Sequence, residues 1–94
     1  MENNNDIFIS GGPDDFKASL NVFIDQKIAS GNAEWAGGYV AGLQVMARAI
    51  ARAARSGMEK SRTNDRPDAA EAYNIVGWNA AKALTIAEEA GLRL

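Results

Sequence analysis

Apolar positions in this chain fall into three runs with helical spacing, separated by short polar breaks. Phe16, Leu20, Phe23, Ile24 and Ile28 recur at steps of three and four, with Asp15, Lys17, Asn21, Asp25 and Gln26 between them, so the pattern predicts an amphipathic helix over about 13–30. A second helix is expected over about 32–56, where Tyr39, Leu43, Met46, Ile50 and Ala53 form its candidate core stripe. A third is expected over about 67–90, facing inward through Ala72, Tyr73, Val76, Ala80, Ala83, Leu84 and Ala87.

Punctuation agrees with these bounds. Pro13 is tolerated at a first helical position, and Asp14 and Asp15 suit the positive helix end. Gly31 sits where a left-handed stop is needed, and Asn32 is placed to cap the next helix. Gly57 and Gly91 are the expected stops of the second and third helices, and Asp68 with Glu71 has capping-box spacing. Residues 57–66 are polar and aperiodic, which reads as a mobile loop. Residues 1–5 read as a disordered polar tail. Residues 6–10 (DIFIS) have two readings: a short strand pairing with a copy in another subunit, or an extended lead-in placing Phe8 on the core. The expected fold is an all-α three-helix bundle in one domain, 1–94.

Composition makes that bundle thin. The chain has 94 residues and is 47% hydrophobic, yet eighteen of them are Ala and seven are aromatic. At about 25 cal/mol per Å2 of buried apolar surface, an Ala-rich core gives a lone protomer little stability, so a homo-oligomer is expected. The candidate subunit contact is a small-residue stripe on the second helix: Gly38, Gly42, Val45 and Ala49. Two glycines inside a helix cost about 1 kcal/mol each relative to Ala, a cost that close packing can offset, within the bundle or between subunits.

Charge matters once it is located. The net charge is −2, but from Arg48 to Arg66 six basic residues face two acidic ones, leaving the remainder acidic. Arg48, Arg52 and Arg55 lie on one helical face, with Arg62 and Arg66 following. Such a band can hold phosphates or an acidic protein face, or simply be a solvated helix surface. Trp78 stands among polar neighbours on the third helix and is read either as a partner anchor or as a residue buried in the bundle or at an interface.

Catalytic chemistry is not indicated. There is no His and no Cys, so the commonest general base and zinc ligand and all thiolate sites are missing. Asp14/Asp15 and Glu88/Glu89 are adjacent pairs diverging by about 100° on a helix, so neither converges on one point. The glycines at 37, 38 and 42 match no phosphate-loop spacing. No apolar run approaches the roughly 20 residues needed to span a bilayer, and the acidic start is unlike a signal peptide, so a cytoplasmic location is expected. No metal or cofactor is expected.

Phe23 to Gly31 (FIDQKIASG) resembles the first-helix segment of ParD-type antitoxins, which are ribbon-helix-helix DNA binders. The resemblance implies a DNA-binding antitoxin or repressor with 6–10 as its ribbon. The chain departs from that family in its long first helix, in the segment Ala33–Gly38, and in a strand with no basic residue. In general style the chain resembles small phage or mobile-element accessory proteins that inhibit or sequester a host component. The expectation is therefore a non-enzymatic, homo-oligomeric binding protein acting through its Arg face on an acidic protein surface. A sponge for a small anionic nucleotide held between subunits is one alternative, and the DNA binder is the other.

Overall fold

The computed structural model describes residues 12–94 as three helices: α1 (Pro13–Ala29), α2 (Ala33–Thr63) and α3 (Pro67–Gly91). The expected all-α bundle is present, with no strand among the described residues. The segments 1–5 and 6–10, read as a tail and as a strand or lead-in, lie outside the described residues.

Both interhelical turns have a physical stop. After α1, Gly31 adopts φ 81°, the Gly31 amide donates to the Ile28 carbonyl, and the Asn32 amide donates to the Lys27 carbonyl. These are the two bonds of a Schellman stop, as expected for Gly31. The same motif ends α2, but at Asp65 (φ 60°), whose amide donates to Arg62 while that of Arg66 donates to Ser61. The helix therefore passes through Gly57 and ends at Thr63, and the expected loop over 57–66 is reduced to a turn at 64–66. Gly91 likewise lies inside the last turn of α3, and neither Asn32 nor Asp68 supplies a side-chain cap.

Gly57 stays helical for a packing reason. A Cβ there would stand 2.5–2.7 Å from three atoms of the Tyr73 ring, so the missing side chain is what admits Tyr73. Gly77 against Ala54, and Gly91 against Gln44 and Val40, continue the contact in the opposite direction along α2. The α2–α3 pair is thus an antiparallel hairpin, joined further by a 3.1 Å hydrogen bond from Gln44 Nε2 to the Ala87 carbonyl.

The seam has a seven-residue period. Val40, Ala47, Ala54 and Ser61 are all buried, and α3 answers with Ala70, Ala80, Ala87 and Ala90. Small residues at a heptad seam let two backbones approach closely. This overturns part of the expected core. Tyr39, Met46 and Ala53 of α2, and Ala72 and Tyr73 of α3, are exposed, while Leu43, Ile50, Val76, Ala83 and Leu84 are half-buried flanks. Periodicity weighted toward large side chains points α2 about a quarter-turn away from the face its alanines select.

α1 packs across one end of the hairpin. Leu20 and Ile24 join Val40, Ala87 and Ala90 in the main core, with Phe16, Phe23, Leu43 and Ile86 around them. Phe23 packs against Tyr39 and Trp35, and Arg93 reaches Asn21 and Asp25 from the end of the chain. The two large side chains with essentially no exposure, Ile24 and Val40, are both at this end. The far half of the hairpin is two helices side by side, in a described body measuring 52 × 28 × 14 Å.

Candidate partner-binding groove

The hairpin carries an open groove of about 910 Å3 along one side of its seam. Its floor is apolar, small at Ala51, Ala54, Gly77 and Ala81 and larger at Met58 of α2 and Leu84 of α3. Arg48, Arg52 and Arg55 form the α2 rim, since steps of four and three keep them on one side of a helix. Trp78 and Lys82, one turn apart on α3, stand on the other rim, with the Lys82 ammonium 5.3 Å from the Trp78 ring centroid. Asp14 and Pro13 of α1 close one end.

Two features far apart in sequence therefore meet. The arginine stripe and Trp78 share one groove because the hairpin sets position 54 against position 77. Trp78 is not buried within the protomer; it is 63% exposed. Lys82, which its spacing sets on the same side of α3 as Trp78, and Met58 line the groove without being among the expected site residues. The spacing of Lys82 four residues after Trp78 was a usable signal, whereas Met58 is hidden by ending α2 at Gly57.

Four cationic side chains and a single carboxylate line the groove. Arg48 makes an exposed 3.6 Å ion pair with Glu88, a geometry that contributes little in water. Arg52 and Arg55 make no ion pair with the described residues. The cationic rim is thus largely uncompensated by acids among the described residues. Arg62 and Arg66, expected to join the same site, are exposed at the hairpin tip and do not line the groove.

The small stripe behaves differently from the groove. Gly38, Gly42, Val45 and Ala49 are all exposed on the side of α2 turned away from α3, and a Cβ at Gly38 or Gly42 would meet nothing within 4 Å among the described residues. Close helix packing inside the protomer uses Gly57, Gly77 and Gly91 instead. Among the described residues no group of three or more acidic side chains is placed to hold a metal ion, and no helix is long and apolar enough to cross a membrane. No known protein family, curated protein or solved structure matches this chain.

Proposed function

We propose that this chain is a binding protein whose α2–α3 groove captures an acidic, amphipathic helical segment of a partner protein, and that it acts by sequestering or inhibiting that partner. The observation carrying the reading is the groove's cross-section: an apolar floor between a rim of arginines and a rim bearing Trp78 and Lys82. A helix laid in such a trough buries its apolar face on the alanines and sets carboxylates against guanidinium groups, the usual helix-in-groove mode. Its reach, from Met58 down to the Asp14 end, suits a segment of several turns better than a compact small molecule. A partner whose contact helix lies here cannot use that helix elsewhere, which is how binding becomes inhibition.

The test uses Trp78 as reporter in a Trp35→Phe background. A synthetic acidic amphipathic helix (Glu and Leu at helical spacing) should change the Trp78 emission, with affinity falling steeply as salt rises. Reversing charge in an Arg48→Glu, Arg55→Glu double variant should reduce affinity at least tenfold while leaving helix content unchanged. Equal binding of a Lys/Leu counterpart, or of the double variant, would reject the reading. A short DNA duplex and a nucleoside triphosphate run in parallel; tight binding of either in place of the peptide would shift the assignment to that ligand.

A further inference from the structure

The edge of α2 turned away from both the groove and α3, beside Phe23 and Lys27 of α1, carries a large exposed apolar surface. Trp35 is 56% exposed, Tyr39 46%, Val45 64% and Met46 47%, and all four lie within about three turns of one helix. No charged residue occurs from Trp35 to Ala47. These side chains and the small residues between them present roughly 600 Å2 per copy, the upper end of the range for a monomer's largest apolar patch.

We infer that this surface is the contact between two copies of the chain, with their α2 helices antiparallel about a two-fold axis at Gly42. Self-pairing buries about 1,200 Å2 in total, the lower edge of the range for stable interfaces. The α2 stretch itself carries no charge, and the cation beside it, Lys27 of α1, stands 4.5 Å from the Trp35 ring at one end of the patch, so two copies related at Gly42 keep their Lys27 side chains apart. The register sets two of the four large residues against small ones and the other two, Tyr39 and Val45, against each other. About an axis at Gly42, Met46 of one copy meets Gly38 of the other and Trp35 meets Ala49, while Gly42 meets itself where the backbones come closest. At the ends the same register sets Glu34 of each copy within a turn of Arg52 of the other, a pairing of opposite charge. The chain thus contains both halves of the contact. The groove faces stay open in the pair, so the dimer carries two partner sites, and the inference stands whether or not those sites bind acidic helices.

Sedimentation equilibrium of the full chain should return about 20 kDa, twice the 10.0 kDa protomer. Gly42→Leu should return the protomer mass with helix content intact, because a Cβ there meets no atom of the described residues within 4 Å and Leu favours the helix. The chain has no native cysteine, so Gly42→Cys should cross-link to itself on oxidation and Gly38→Cys should not. A wild-type protein that is monomeric at hundreds of micromolar overturns the inference, as does a Gly42→Leu protein of unchanged dimer mass. Efficient self-linking of Gly38→Cys overturns the antiparallel register.

Discussion

Glycine in this chain does three separate jobs, and only the environment of each residue tells them apart. Gly31 takes a left-handed conformation and ends α1. Gly57 is helical and makes room for Tyr73. Gly37, Gly38 and Gly42 are helical, and a methyl group added at any of them would meet nothing within 4 Å among the described residues. Replacing Gly57 and Gly37 by Ala should therefore act in opposite directions. Each gains helix propensity, but Gly57→Ala also displaces the Tyr73 ring, so it should lose about 1–2 kcal/mol while Gly37→Ala gains roughly 0.5–1 kcal/mol in urea denaturation. Two stabilising substitutions would mean that the Tyr73 contact carries no weight. The left-handed stop at Asp65 shows why the end of α2 is hard to read from sequence: Asp tolerates that conformation less readily than Gly, so Gly57 looks the better terminator.

At the scale of elements, helix number, type and order were legible, because each helix has an apolar period and a Pro or Gly near one end. The face α2 turns toward α3 was less legible. Alanine is weakly hydrophobic, so a seam of Ala47, Ala54 and Ser61 is overshadowed by Tyr39 and Met46, although the hairpin uses the alanines for close approach. Its seven-residue repeat was present in the sequence and is the better guide. α1 is a separate case: its larger side chains dominate, and Leu20 and Ile24 point inward as their spacing predicts, although Ile28, on the same expected stripe, is exposed near the helix end. Ile24→Ala should lower stability by about 2–5 kcal/mol, since Ile24 fills the one place where all three helices meet. A loss below about 1 kcal/mol would show that α1 contributes little to holding the hairpin. Half of the candidate site could be read directly, as Arg48, Arg52 and Arg55 on one face and Trp78 apart from them. Their meeting depends on the α2–α3 register, which local pattern does not encode.

On the scale of the whole molecule, a modest net charge conceals a division of labour. One side of the hairpin gathers four cations around an apolar trough, and the outer edge of α2 between Trp35 and Ala47 has no charge at all. The first suits an acidic partner and the second suits a copy of itself. Both readings depend on α2 being a single helix 31 residues long, about 46 Å from end to end. Hydrogen exchange along the full chain, with and without the acidic amphipathic peptide, tests the central claim most directly. Added protection should concentrate in 48–58 and 74–85, the two walls of the groove. Protection confined to 35–46 or to the hairpin tip at 60–66, or none anywhere at saturating peptide, would contradict it.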